Sequence, residues 1–290
     1  MARFRPKRMT NLGSRQFFLQ GDPCEANEPG RDYAKWLNLF GLPLSPVPSL
    51  DDAFVSFRNA LEASSSKSWL ATFANPLGLK LLQTDANYLA HLRRMDAVFC
   101  DGIGLALAAR WLGDFPLERV SFDSTSLAPR VFAASRDLDK KIVIVGARPG
   151  IAEAAAQRIR EAYPGICIVA ALDGFVPQPE LVQRVREIAP DIVICGMGAP
   201  RQEAFLVSLA ESGWLGIGFT CGGYLDHLGA RFDFYPKIID RLNLRWLYRI
   251  FLEPRRIGYR FVVEYAPFWL ALIRHSVTLT RYTHKSEDRL

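Results

Sequence analysis

Asp101 stands directly after the apolar run 97–100 (AVFC) and is followed by Gly102, Ile103 and Gly104. A carboxylate at the mouth of a buried strand, with glycines opening access beside it, is placed to take a proton from an incoming hydroxyl. An aspartate standing alone there reads as the N-cap of the helix that starts near Ile103. Asp101 does not stand alone: Arg119 and Asp123, in LERVSFD, follow on the next loop and bring charge and a polar contact towards the same edge. Glycine turns close other apolar runs: Gly146 in IVIVGARPG, Gly198 in GMGAP, and Gly222 and Gly223 in CGGYLD, which also carries Asp226. Glycine allows close backbone approach, and the free N–H groups of a following helix attract phosphate, so the set reads as a nucleotide-phosphate cradle. Gln202 opens the helix after GMGAP, where its amide can hydrogen-bond a sugar or a base, and Glu203 beside it is read as a complement to the helix dipole.

A cradle of this kind needs a scaffold that gathers strand ends on one side. Apolar runs at 69–73, 97–100, 142–146, 166–171, 191–196 and 214–219 alternate with helical stretches at 78–94, 103–112, 124–136, 150–162, 179–188 and 200–212. Upstream lie a short apolar stretch over 37–44 and a helix from the N-cap Ser49 to about Ala63, with Asp51 and Asp52 in its first turn. Alternating strands and helices predict an α/β, Rossmann-like fold: a mostly parallel sheet with helices on both faces and ligands beyond its carboxyl edge. Residues 1–36 lack a sustained period and read as a poorly ordered extension, residues 37–236 as the α/β domain, and residues 237–290 as a basic amphipathic appendage. Asp137-Leu138-Asp139 resembles a metal-holding D-x-D, but it precedes the strand at 142 and so falls on the amino edge; no metal site and no cofactor are expected. The glycine turns leave G-x-G-x-x-G incomplete, which disfavours a nucleotide-binding oxidoreductase, one alternative considered.

Composition limits the partners. With 290 residues, 49% hydrophobic and 23% charged, the chain can bury a sizeable core. Cysteines at 24, 100, 167, 195 and 221 form neither a C-x-x-C pair nor a disulfide framework, which suits a reducing cytosol. Lysine and arginine exceed aspartate and glutamate by 36 to 30, and the excess is local: residues 231–290 hold 12 against 6. That points to one anionic partner at the C-terminal end, a phosphate group or an acidic membrane surface, and not to nucleic acid. Lys237, Arg241, Arg245 and Arg249 recur every four residues along one helical stripe; Pro254, Arg255, Arg256 and Arg260 follow, then the apolar, aromatic stretch 261–273. Its densest part, 265–273, is half the length of a membrane span. A stripe of this kind fits a leaving diphosphate, an anionic lipid surface, or a helix packed on the core with solvated arginines.

Seven segments in order, TFANP (72–76), CDGIGLALAARWLG (100–113), LERVSFD (117–123), VGARPGIAEAAAQRIREAYPGI (145–166), PDIVICGMGAPRQE (190–203), CGGYLDHLGA (221–230) and LRWLYRIFLEPRR (244–256), resemble the bacterial WecG/TagA/CpsF glycosyltransferase family. The resemblance covers roughly residues 40 to 256. It implies an inverting, metal-independent transfer of a sugar, of the glucose or N-acetylmannosamine type, from a UDP-sugar to a polyprenyl-diphosphate-linked acceptor in exopolysaccharide or cell-surface polysaccharide synthesis. It implies a peripheral enzyme on the cytoplasmic face of the inner membrane. Carried over by position, it makes Asp101 the base, gives Thr72 at the first strand end a catalytic role with Asn75 beside it as a substrate contact, and matches Arg119 and Gln202 to a loop arginine and a motif glutamine. It matches Arg249, Arg255 and Arg256 to the family's C-terminal arginines, with Arg249 and Arg256 expected to act catalytically on the departing diphosphate and Arg255 to bind substrate. Here the first motif reads T-F-A-N where T-L-N is commoner, and Arg201 replaces a lysine. A non-catalytic membrane-associated scaffold with the same fold is the third reading.

Overall fold

The structure, a computed structural model, describes residues 36–63, 66–113, 117–230, 247–248, 251 and 254–275. Two three-residue strands, β1 (Leu37–Leu39) and β2 (Leu42–Leu44), pair antiparallel around Phe40 and Gly41. They account for the apolar stretch over 37–44. Helix α1 (Leu50–Glu62) begins as expected, with Ser49 Oγ accepting from Asp52 N–H at 3.2 Å.

The α/β core follows as β3 (Trp69–Ala74), α2 (Leu77–Thr84), α3 (Tyr88–Arg94), β4 (Ala97–Cys100), α4 (Ile103–Gly113), α5 (Leu127–Asp137), β5 (Ile142–Gly146), α6 (Ile151–Ala162), β6 (Ile168–Leu172), α7 (Gln178–Ile188), β7 (Ile192–Gly196), α8 (Arg201–Glu211), β8 (Ile217–Thr220) and α9 (Tyr224–Ala230). The single helix expected over 78–94 is two, because Asp85 Oδ1 accepts from Asn87 N–H at 2.9 Å and turns the chain between them. The last strand starts at Ile217, not 214, because Trp214 leaves the ladder to donate its indole N–H to Pro190 O at 2.8 Å.

Six strands form one sheet in the order β4-β3-β8-β7-β5-β6, and all five pairings are parallel. Alternation of side chains divides the core into two layers. On β5 and β7, Val143, Val145, Val193 and Cys195 face the layer built with α2, α3, α4, α7 and α8. Ile142, Ile144, Ile192 and Ile194 face the layer built with α1, α5, α6 and α9. Both faces are covered, so the strands are largely apolar, Thr72 on β3 and Thr220 on β8 being buried polar exceptions. From β5 the chain moves outward to β6, while from its neighbour β7 it moves inward to β8. Connections that diverge from adjacent strands leave a crevice at the carboxyl edge, where such sheets bind ligands.

Of the C-terminal appendage, α10 (Pro254–Tyr259), a π-helical turn (Arg260–Glu264) and a helix over 266–275 are described. Phe268 is fully buried, its ring 6.2 Å from that of Phe40 in an edge contact, and Lys80 Nζ lies 3.6 Å from Glu264 Oε1. The apolar stretch thus packs on the core by one face while Val262, Leu270 and Ile273 stay exposed on another. Among the described residues no helix is long and apolar enough to cross a membrane. The stripe Lys237, Arg241, Arg245 and Arg249, like residues 1–35, lies outside the described residues.

Candidate active site

All six parallel strands end at one cavity of about 1580 Å³. Its walls carry Asn75 and Pro76 after β3, Asp101 and Gly102 after β4, Arg148 after β5, Gly174 after β6, Gly198 and Arg201 after β7, and Gly222 and Gly223 after β8. The C-terminal segment closes one side with Arg260, Phe261, Tyr265, Trp269 and Leu272.

Asp101 leaves β4 with its N–H donated to Ala74 O at 2.7 Å, which ties it to the end of β3. Gly102 follows at φ +105°, a conformation that costs a side-chain-bearing residue strain, and its carbonyl receives Ala106 N–H to start α4. The Asp101 carboxylate, about a third exposed, faces Arg119, whose Nε is 3.4 Å from Oδ1. Arg119 is anchored from behind: Nη2 donates to Ser121 Oγ at 2.6 Å and to Asp123 Oδ2 at 2.7 Å. Asp123 in turn accepts from Ser121 Oγ at 2.6 Å and from the backbone N–H and hydroxyl of Thr125, each at 2.9 Å. Asp123 therefore fixes the guanidinium, and the guanidinium fixes Asp101. The charge of Asp101, after burial, is the second cause that pushes the neighbouring Cys100 thiol up to about 12. Cys100 is thus a neutral packing group at pH 7.

Thr72 lies under the cavity, not in its wall. It is buried on β3, donates its hydroxyl to Glu203 Oε1 at 2.7 Å, and lies 2.8 Å from Thr220 Oγ1, a wall residue on β8. Glu203 is 1% exposed and takes a second bond from Gln202 Nε2 at 3.1 Å, so it does not serve as a surface complement to a dipole. Burial raises its carboxyl above the usual carboxylate range, and the bonds from Thr72 and Gln202 only partly oppose this. Gln202 is in the wall and accepts Gly222 N–H on its own Oε1 at 3.0 Å. Asn75 lines the cavity and holds the start of α2 by accepting Leu77 N–H at 3.0 Å. Asp226, exposed on α9, also lines the cavity.

Gly146 has a different role from a cradle glycine. It is not in the wall; at φ +136° a Cβ on it would sit 2.4 Å from Gly196 O, so it lets β5 and β7 close up at the crevice. Of the C-terminal arginines, Arg255 is exposed on α10, Arg256 lies in that helix with its side chain outside the described set, and Arg249 lies outside the described residues. Several wall residues escaped the sequence reading. Arg148 could have been found from its place two residues after a strand end; Tyr88, Trp111, Tyr265 and Trp269 carried no signal separable from core patterning. Asp137 and Asp139 flank the end of α5 before β5, on the amino edge away from the cavity.

Arranged this way, the cavity has an acid able to accept a proton, a wall of arginines and helix starts suited to a diphosphate, and an aromatic wall suited to a sugar or lipid. Residues 37–282 match the family described as "Glycosyl transferase WecG/TagA/CpsF family". A UDP-Gal:alpha-D-GlcNAc-diphosphoundecaprenol beta-1,4-galactosyltransferase of Shigella boydii is 31% identical over 222 residues, 76% of this chain and 92% of that protein. An N-acetylglucosaminyldiphosphoundecaprenol N-acetyl-beta-D-mannosaminyltransferase of Bacillus spizizenii is 24% identical over 254 residues, 85% of this chain and 97% of that protein. A protein of the same description from Bacillus subtilis is 26% identical over 173 residues, 59% of this chain and 67% of that protein.

Proposed function

The chain belongs to the WecG/TagA/CpsF family of glycosyltransferases, and on that premise we propose that it moves a hexose from a UDP-sugar to an acceptor glycan carried on polyprenyl diphosphate. Membership sets aside the oxidoreductase and scaffold readings. The observation that carries the proposal is the placement of Asp101, at the end of β4, held by Arg119 on the wall of the one cavity that all six strand ends share. Asp101 takes the proton of the acceptor hydroxyl as that oxygen attacks the anomeric carbon, and UDP leaves from the opposite face, so the configuration inverts. The glucose or N-acetylmannosamine expected from sequence is joined by galactose as a donor sugar, because the Shigella boydii relative is named for UDP-Gal.

The departing diphosphate is neutralised without a metal, by arginine forks and helix N-termini. Arg148 and Arg201 stand at the strand ends, where α6 and α8 start with no side-chain cap on their first turns. Arg249 and Arg256 are assigned to the same diphosphate and Arg255 to the bound substrate. The enzyme works at the cytoplasmic face of the membrane, resting on anionic lipid. Leu107 and Trp111 on α4, exposed at 58% and 62%, and the exposed Leu270 and Ile273 of the C-terminal helix supply apolar contacts for that surface.

The test is a panel of UDP-galactose, UDP-glucose and UDP-N-acetylmannosamine offered to the purified protein with a prenyl-diphosphate-linked N-acetylglucosamine acceptor, with EDTA present or absent. Transfer from one of these donors, unchanged in EDTA and giving the opposite anomeric configuration, is expected. Retained configuration, or strict dependence on a divalent ion, would overturn the mechanism.

A further inference from the structure

At the cavity floor lies a polar cluster in which Gln202 and Thr220 line the wall and Thr72 and Glu203 lie beneath it. Thr72, Gln202, Glu203 and Thr220 are 1%, 4%, 1% and 0% exposed, and they join β3, α8 and β8. Proton accounting orders their bonds. Gly222 N–H can only donate, so the Gln202 atom 3.0 Å from it is the amide oxygen. The Gln202 NH₂ is therefore the end that meets Glu203 Oε1, at 3.1 Å. Thr72 spends its one hydroxyl proton on the same Oε1 and accepts from Thr220. Flipping the Gln202 amide would face donor with donor at Gly222 and oxygen with oxygen at Glu203, losing both bonds.

We propose that Glu203 is a positioning residue: from beneath the floor it fixes the Gln202 amide in one orientation and, through Gln202, holds the Gly222–Gly223 turn that lines the cavity. Burial raises this carboxyl above the usual carboxylate range, and the bonds from Thr72 and Gln202 oppose the shift. Glu203 Oε2 has no hydrogen-bond partner among the described residues, and the phenol of Tyr88, a wall residue, is pushed up first by its own burial and then by the nearby Glu203 charge. A buried acid with one oxygen unsatisfied costs stability that an apolar side chain would not. The return is at the site: Gln202 keeps a second Nε2 proton that a ligand in the cavity can take.

The test uses the full chain and three variants, Glu203→Gln, Glu203→Leu and Gln202→Leu. Hydrogen exchange read on the peptide containing Gly222 needs no ligand. Glu203→Leu should raise exchange there while peptides from β5 and β7 stay protected, and Glu203→Gln, which keeps an acceptor oxygen for Thr72 and Gln202, should restore protection. UDP titration supplies the second readout: Glu203→Leu should bind UDP roughly tenfold more weakly, the effect of one lost buried hydrogen bond, and adding Gln202→Leu should weaken it little further. Unchanged exchange at Gly222 in Glu203→Leu, or a rise spread evenly over all strands, overturns the proposal. The affinity readout rests on the cavity taking a uridine nucleotide and the exchange readout does not. Failure of the unaltered protein to bind UDP would count against the donor assignment alone.

Discussion

Aspartates mark both edges of the sheet, and they are used in opposite ways. On the amino edge, Asp96 precedes β4 and accepts Leu70 N–H at 2.9 Å, while Asp191 precedes β7 and accepts Lys141 N–H at 2.8 Å. Each supplies an oxygen to a neighbouring strand's backbone. On the carboxyl edge Asp101 ends β4, meets a guanidinium and opens onto the cavity. Asp96 and Asp101 sit at the two ends of the same four-residue strand. What separates them is not residue type but what the oxygens meet: a strand's backbone N–H on one edge, a guanidinium and the cavity on the other.

Asparagine preserves an acceptor oxygen and abolishes a base, so it distinguishes the two. Arg119→Met should show the largest effect short of altering the acid itself, lowering kcat by about a hundredfold through loss of the Asp101 orientation, with the melting temperature nearly unchanged. Steady-state kinetics at saturating donor would check this. Asp96→Ala should cost about 2 kcal/mol in a urea titration, because it strips a partner from a largely buried N–H, whereas Asp96→Asn should recover most of that. Neither should alter kcat of the folded protein.

A smaller effect concerns pH. An acid whose folded pKa is raised binds its proton more tightly when folded, so its contribution is full below its ordinary value of 4.5 and is lost as pH rises through the raised value. Unfolding free energies measured from acid to neutral pH should therefore fall more steeply for the unaltered protein than for Glu203→Gln. Smallest of all, Cys100 and Cys195, both buried with their thiols pushed up by burial, should resist alkylation in the native protein at neutral pH and react after unfolding, by mass spectrometry of the labelled peptides.

The carboxyl edge was legible from sequence to the extent that chemistry followed strands directly. Asp101, Gly102, Gly198, Gly222 and Gly223 each come just after an apolar run, and the alternation of strand and helix placed them on one rim. Burial of the family's threonine was not legible. Thr72 meets Glu203 across 131 positions, a contact decided by how α8 packs on β3. Glu203 itself looked like a helix-start acid because its local sequence says so; only tertiary packing makes it a floor group. Gly146 reads as another cradle glycine until its distance to Gly196 is known. The β1–β2 hairpin was hidden because three-residue strands carry too few alternations to register a period.

The decisive measurement is the turnover of Asp101→Asn beside its affinity for UDP. A loss of about a hundredfold to ten-thousandfold in kcat is expected, with UDP binding and thermal stability close to those of the unaltered protein. Near-normal turnover in Asp101→Asn would show that another group accepts the acceptor's proton.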